Sequence, residues 1–378
     1  MHADLKSKVG DWLEAWGNPS SIHWAGRGPK ALLREARSQL AQLLGVESLE
    51  LIFTSGGSEA NNLAFKGVCD KTALTTGDRG QIIISAVEHP SVRKTAEWLR
   101  MRGYRLDFVP VDRDGRLNLD VLRSLLSEKT ALVSVMLANN ETGHIFPVAE
   151  VARMAHSVGA LMHCDAVQAL GKIPLNLPEL GADLVSLSGH KFYALKGCGV
   201  LYARKGLQLT SLIHGGGQER GRRAGTENLP AIASLGFMAS KVDEVITQSE
   251  RLRKLRDLME EVILREIEGV TITGRAGLRL PNTSSLVIDA VDGETLLMNL
   301  DVRGYAVSTG AACSSGSTEP SPTLLAMGLT RGEAQSSLRL SLGWRTNEDD
   351  VVGFVAALKA VVARLRGFKH GENFAYGV

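Results

Sequence analysis

The chain has 378 residues, 44% of them apolar and 22% charged, and a formal net charge of +2. That length suits a large domain plus a smaller one, and so even a charge balance gives no sign of a nucleic-acid track or a membrane-binding face. No run approaches the roughly 20 apolar residues of a membrane span, Met1-His-Ala-Asp-Leu-Lys does not open a signal peptide, and cysteines 69, 164, 198 and 313 lack metal-site or disulfide spacing, so a cytoplasmic protein with free thiols is expected.

From residue 49 to about 230, short β-branched runs alternate with longer amphipathic segments. Strands are expected at Glu50–Thr54, Gln81–Ser85, Arg105–Pro110, Ala131–Leu137, Ala160–Cys164, Leu184–Leu187 and Gly199–Tyr202. Continuous apolar runs separated by helical stretches predict a mostly parallel sheet covered on both faces, hence an α/β domain. Leu229–Glu268 reads as long, densely charged helical sequence suited to a connector. Beyond it, a strand at Asn282–Ile288, a helix near Glu294–Leu300, a strand at Ser337–Leu342 and a helix from Glu348 to Leu365 fit a smaller α+β domain. The expected partition is 17–245 for the large domain and 246–378, together with 1–16, for the small one.

Two of the expected strand ends carry complementary chemistry. Ser188-Gly189-His190-Lys191 follows the run Ala182–Leu187, and Asp165 closes the run Gly159–Cys164 with Gln168 just after it. Pyridoxal 5'-phosphate needs such a pair: an amine for the Schiff base, and an anionic carboxylate that keeps the pyridine nitrogen protonated so that the ring accepts electrons. A lone lysine at a strand end is most often a solvated charge. The company of Asp165, Gln168, Ser188 and His190 favours the functional reading.

The remaining motifs support or qualify it. Thr54-Ser-Gly-Gly-Ser-Glu-Ala-Asn-Asn62 follows a strand and opens a helix, so Gly57 and Ser58 read either as a phosphate cradle or as an ordinary capped turn. Glu88-His89-Pro90 places an imidazole after another strand, where His89 could lie on a pyridine ring and exchange protons, or belong to a plain loop. Asn139-Asn140-Glu141-Thr142-Gly143 is a turn, or sets the Asn140 amide over bound substrate. His214–Thr226, rich in glycine and arginine, is a mobile surface loop or part of a phosphate site completed across a subunit interface. Arg339, inside an apolar strand, wants a carboxylate partner, structural or the α-carboxylate of an amino-acid substrate. Cys313 lies in Ser308-Thr-Gly-Ala-Ala-Cys-Ser-Ser-Gly-Ser-Thr-Glu-Pro320, a small-residue stretch expected to be a mobile loop exposing a nucleophilic sulfur. Cys69, Cys164 and Cys198 sit in or beside apolar runs and read as small buried hydrophobes.

Together these stretches, from Gly17-Asn-Pro-Ser-Ser-Ile-His23 to the helix ending near Leu365, resemble the cysteine desulfurases of the NifS/IscS type, within the class V aminotransferases and the fold-type I pyridoxal-phosphate enzymes. The resemblance implies the following roles. Lys191 would hold the cofactor, Asp165 would pair with its ring nitrogen, and Gln168 would bond its phenolic oxygen. Gly57, Ser58, Ser188 and His190 would bind phosphate, with Thr226 reaching the neighbouring protomer of a homodimer. His89 would stack on the ring, Asn140 and Arg339 would meet the carboxylate of the substrate L-cysteine, and Cys313 would take the sulfur as a persulfide for a sulfur-acceptor protein such as an iron–sulfur scaffold. Two departures are visible: the Tyr-Leu-Asp-Asn-Asn-Ala-Thr-Thr strand with which such proteins usually begin has no counterpart here, and Gly367–Val378 is unlike the extended tail by which housekeeping members hold their scaffold. The alternatives are a selenocysteine lyase or short-loop desulfurase, which would resemble Arg-x-Gly-x-x-Cys at the thiol; a class V aminotransferase, which needs no exposed thiol; and a non-catalytic, truncated binding subunit.

Overall fold

The computed structural model of the chain describes residues 2, 4–75, 79–310 and 319–369, and these form two units. The first comprises residues 1–109, 117–138 and 146–246; the second comprises 110–116, 139–145 and 247–378. In the first, helices α1 (Leu5–Glu14) and α2 (Trp24–Leu44) precede strand β1 (Leu51–Thr54), helix α3 (Gly57–Thr75), β2 (Gln81–Ser85), α4 (Pro90–Arg100) and β3 (Arg105–Val109). There follow α5 (Leu119–Leu125), β4 (Thr130–Ser134), α6 (Val148–Ser157), β5 (Leu161–Asp165), α7 (Leu177–Leu180), β6 (Leu184–Ser188), β7 (Gly199–Ala203) and α8 (Leu229–Ala239).

The described residues build a seven-stranded sheet in the order β1-β7-β6-β5-β4-β2-β3. Strands β3, β2, β4, β5 and β6 pair in parallel, while β7 is antiparallel to both β6 and β1. Every strand but β7 therefore points the same way. Strands β1, β2, β4, β6 and β7 are buried along their whole length, which is why their sequences are continuous apolar runs instead of alternating ones. This is the mostly parallel α/β sheet expected of a fold-type I enzyme.

Helix α3 lies on the sheet against β1, β4, β5, β6 and β7, and its Ala60, Leu63, Ala64 and Phe65 enter a core with Ile52, Ile82, Ile84, Leu132, Leu184 and Leu201. Residues 5–14 depart from the expected partition. Their helix α1 packs on α8 within the first unit, with Trp12 edge-on to Phe237, because Leu5 and Trp12 need an apolar surface to bury against. The segments 110–116 and 139–145 also fall outside the expected large domain and belong to the second unit. The helical sequence read over Leu229–Glu268 forms two helices: α8 ends at Ala239, and α9 (Val242–Glu266) begins three residues later.

Apart from the first turn of α9, the second unit holds the rest of that helix, β8 (Val270–Ile272), β9 (Thr283–Ile288), α10 (Gly293–Asp301), α11 (Pro322–Ala326), α12 (Arg331–Gln335), β10 (Ser337–Ser341) and α13 (Glu348–Lys369). Its antiparallel sheet runs β10-β9-β8. Leu286 and Ile288 of β9 and Leu338 and Leu340 of β10 join Leu255, Ile263, Leu300 and Leu358 in one core. Strand alternation then puts Arg339, opposite Ser285 in register, on the other face. No described helix is long and apolar enough to cross a membrane.

Candidate active site

Ligand sites in open α/β sheets lie at the carboxyl ends of the strands. Here that edge carries Gly57 after β1, His89 after β2, Asp165 closing β5, and Ser188 to Lys191 leaving β6. Strand direction brings these residues to one edge, although they are spread over more than a hundred positions in the chain.

Lys191 sits in a tight turn, Gly189–Phe192, between β6 and β7. Gly189 N donates to Cys198 O at 3.0 Å and Ala194 N to Gly189 O at 3.1 Å, and the wholly buried Phe192 pins the turn beneath. Tyr193 follows at φ 60°, a left-handed conformation that is strained for a bulky residue. The turn is thus rigidly built, and it leaves His190 and Lys191 exposed. Ser188 Oγ and His190 Nδ1 are 2.9 Å apart, and burial together with the charges of Lys191 and Lys196 lowers the pKa of His190.

Asp165 is 5% exposed. Its Oδ2 accepts from Asn61 Nδ2 at 2.8 Å and its Oδ1 from Val167 N at 3.0 Å. Burial raises its pKa, against which the Asn61 bond, His89 and the Val167 amide work. His89 is half-buried; burial lowers its pKa, Asp165 raises it and Lys191 lowers it, so all three groups lie within electrostatic range of one another. His89 also caps α4, its Nδ1 accepting from Ser91 N at 3.1 Å, and Pro90 follows at the first helical position, where its missing N–H costs nothing.

Gly57 is buried at the start of α3, where an added Cβ would stand 2.7 Å from Val167 Cγ2 and 3.4 Å from Ser188 Cβ. Only glycine lets the helix begin so close to β6, and Ser58 beside it is exposed. Gln168 Oε1 accepts from Lys172 Nζ at 2.6 Å. Thr226 is exposed. The arginines around it are engaged within the chain: Arg223 Nε pairs with Glu59 at 2.9 Å and Arg222 Nη2 donates to Leu49 O at 2.9 Å. Glu219, buried, takes Arg37 and the Phe53 amide, which ties this glycine-rich segment to β1.

In the second unit, no hydrogen bond joins Arg339 to a structural carboxylate among the described residues, which leaves the substrate carboxylate as the other expected partner. Its Nη1 donates to Asn140 O at 3.2 Å, and its buried Nε has no hydrogen-bond partner among the described residues. The nearby Glu141 carboxyl, pushed up to about 6 by burial, is drawn down by bonds from Ser321 and Thr323 and by the Arg339 charge. The Asn139–Gly143 segment is a side-chain-closed turn: Asn139 Oδ1 accepts from Glu141 N at 2.8 Å and from Thr142 N at 3.0 Å. Asn140 is half-buried within it.

Cys69, Cys164 and Cys198 are buried, and burial pushes the thiols of Cys69 and Cys198 up to about 12 and that of Cys164 well above its ordinary value. None can supply a thiolate near neutrality. Cys313 lies outside the described residues.

Three polar residues that sequence reasoning gave no role sit among these groups: Asn61, Ser91 and Glu88. Asn61 follows Gly57 by one helical turn, a spacing that points both at the sheet. Ser91 lies two residues past His89, at a helix start where a side chain commonly bonds its neighbours. Both signals were legible.

A match to the family described as aminotransferase class-V covers residues 8–354. A cysteine desulfurase of Gluconacetobacter diazotrophicus is 44% identical over 358 residues, which is 94% of this chain and 88% of that protein. The cysteine desulfurase IscS of Dictyoglomus turgidum is 43% identical over 93% of this chain and 89% of its own length, and the NifS of Azotobacter vinelandii 40% identical over 94% and 88%. Among solved structures, a NifS-like protein superposes with a TM-score of 0.89 at 35% identity over 96% of both chains. A NifS-like protein from Rickettsia africae superposes at 0.86 with 32% identity, again over 96% of both.

Proposed function

Because the chain belongs to the class-V aminotransferase family and, within it, to the cysteine desulfurases, we propose that it converts L-cysteine to L-alanine with pyridoxal 5'-phosphate and passes the sulfur on through a persulfide. The observation that carries this reading is the meeting of Lys191, Asp165 and His89 at the carboxyl edge of the sheet. The residues present fit the cofactor. A buried carboxylate whose two oxygens both accept suits a protonated pyridine nitrogen, and the close helix start at Gly57 suits a phosphate, to which backbone amides there would donate.

Lys191 would hold the cofactor covalently, Asp165 its ring nitrogen and Gln168 its phenolic oxygen. Gly57, Ser58, Ser188 and His190 would take the phosphate, and Thr226 that of the neighbouring protomer in a homodimer. When bound, the cofactor supplies an electron sink for the carbon that loses its proton. Lys191, once its amine is released, removes the Cα proton of the substrate. His89 would stack on the ring and exchange protons near it, while Arg339 and Asn140 would orient the substrate carboxylate; Arg339 Nε, buried and without a hydrogen-bond partner among the described residues, favours that role. The Cys313 thiolate attacks the substrate sulfur, forming an S–S bond as the Cβ–S bond breaks. The electron pair of that bond stays with the substrate carbon, and its protonation gives alanine. An acceptor thiolate, such as that of an iron–sulfur scaffold, then attacks the outer sulfur of the persulfide, and the S–S bond breaks to release the Cys313 thiolate.

The test is purified protein mixed with pyridoxal 5'-phosphate and L-cysteine. A visible band that shifts on substrate addition, with alanine released and sulfur found on Cys313, supports the proposal. A ketoacid product without persulfide would replace it with aminotransfer.

A further inference from the structure

Four side chains at the carboxyl edge of the sheet form one continuous hydrogen-bonded chain. Asn61 Nδ2 is 2.8 Å from Asp165 Oδ2 and 2.8 Å from Ser91 Oγ, and Ser91 Oγ is 2.7 Å from His89 Nδ1. We propose that Asn61 and Ser91 are positioning residues: Ser91, through its backbone N–H and a hydroxyl aligned by Asn61, holds the His89 ring in place as its Nε2–H tautomer, and Asn61 holds Asp165 in its anionic, acceptor-only form.

The directions of the bonds follow from counting donors. The Ser91 backbone N–H lies 3.1 Å from His89 Nδ1, and an N–H can only donate. Nδ1 must therefore present a lone pair, and the ring proton of neutral His89 is on Nε2. The Ser91 hydroxyl, meeting that same lone pair, points its hydrogen at Nδ1 and so receives at its oxygen from Asn61. An Asn amide has two hydrogens; the first goes to Ser91 and the second to Asp165. A proton on Asp165 Oδ2 would face an N–H, and Oδ1 already accepts from Val167 N. The carboxylate is thus kept as an acceptor at both oxygens, against the burial that raises its pKa. Reversing the amide would leave the Ser91 hydroxyl donating to Asn61, with nothing from it for Nδ1. The arrangement leaves Asn61 Oδ1 buried without a hydrogen-bond partner among the described residues, a cost that a merely space-filling residue would avoid.

The role rests on the functional reading above, since it is toward the cofactor that a fixed Nε2–H and a fixed carboxylate matter. The tautomer itself does not. Nitrogen-15 NMR of the full-length, cofactor-free chain with labelled histidine, its His89 signals assigned by their loss in His89→Gln, reads it directly. Expected is an unprotonated Nδ1 and a protonated Nε2 in the neutral ring. In Asn61→Ala the Nδ1 signal should move, as Ser91 loses its donor. The dissociation constant for pyridoxal 5'-phosphate should rise about tenfold or more, the scale of one lost hydrogen bond to a charged group. A proton on Nδ1 in the wild-type ring overturns the proposal, as does a folded Asn61→Ala chain with both readouts unchanged. Should that variant not fold, Ser91→Ala decides: it must shift the Nδ1 signal while the backbone N–H keeps the tautomer, and an unmoved signal overturns the relay. A wild-type chain that binds no pyridoxal 5'-phosphate at all would instead sink the functional reading, leaving the tautomer result standing.

Discussion

Glu88 offers a quantitative test of the buried polar groups beneath the site. It is 6% exposed, its Oε1 accepts from Ser85 Oγ at 2.5 Å and Met136 N at 2.8 Å, and its Oε2 is buried without a hydrogen-bond partner among the described residues. Burial pushes its carboxyl up from 4.5 to about 8, helped by the Asp165 charge and opposed by the two bonds. The native state therefore prefers the proton. Stability contributed by that preference is whole below the unfolded pKa and is lost as pH rises through the native one. At about 1.4 kcal/mol per unit, the loss is about 1 kcal/mol at pH 5 and about 3 kcal/mol at pH 7. Glu88→Gln keeps the neutral shape and removes the titration. The difference in unfolding free energy between variant and wild type should thus grow in the variant's favour by about 2 to 3 kcal/mol from pH 5 to pH 7. Urea unfolding of the two cofactor-free proteins across that range measures it, and infrared spectra at pH 7 should show a protonated carboxyl band that the variant lacks. A stability difference that does not vary with pH, with no such band, would refute the reasoning.

Three further outcomes are expected. Lys191→Ala should abolish borohydride-fixed cofactor, and fixation at another lysine would overturn the assignment. Cys313→Ser should keep the spectral response to L-cysteine yet lose alanine release and the persulfide, because a hydroxyl cannot supply the soft anionic nucleophile; mass spectrometry finding the added sulfur on Cys69, Cys164 or Cys198 would refute it. Arg37→Ala should destabilise the protein by about 3 to 5 kcal/mol, since it strands the buried Glu219 carboxylate, and a thermal midpoint equal to that of wild type would contradict the pairing.

The sheet was legible because its strands are buried on both faces and so spell continuous apolar runs. Ends were less so. Strand β4 stops at Ser134, short of the expected Leu137, although Val135 N and Leu137 N still donate to His163 O and Asp165 O in an irregular continuation. The break between α8 and α9 falls at Ser240-Lys241, where no proline or glycine marks it. The nearest signal is a change of character, from an apolar, almost wholly buried α8 to the charged α9. The assignment of 110–116 and 139–145 to the second unit is tertiary, and nothing local announces it. For the site, Lys191, Asp165 and His89 could be read because each closes or follows an apolar run. Arg339 was read as wanting a structural or a substrate carboxylate, and among the described residues its direct partner is the Asn140 carbonyl. The Asn61–Ser91 bond spans 30 residues and two helices, a pairing that only the fold makes.

Helix α3 explains why so much of the site answers to one element. Gly57, Asn61 and Phe65 recur every four residues and share the face laid on the sheet. Gly57 opens the helix against Val167 and Ser188, Asn61 holds Asp165, and Phe65 stacks edge-on to His163 with ring centroids 5.3 Å apart. His163 is fully buried, its pKa lowered to about 3 by that burial, and its two ring nitrogens meet Ser134 Oγ at 2.8 Å and Ser186 Oγ at 3.0 Å, which laces β4, β5 and β6 together one pleat below Asp165. Successive contacts along the helix are about 6 Å apart. A shift of α3 would therefore disturb the proposed phosphate end and the carboxylate end in concert. The packing of Phe65 on the locked imidazole resists that shift, so the precision of the site is set two helical turns below Gly57, at the proposed phosphate end.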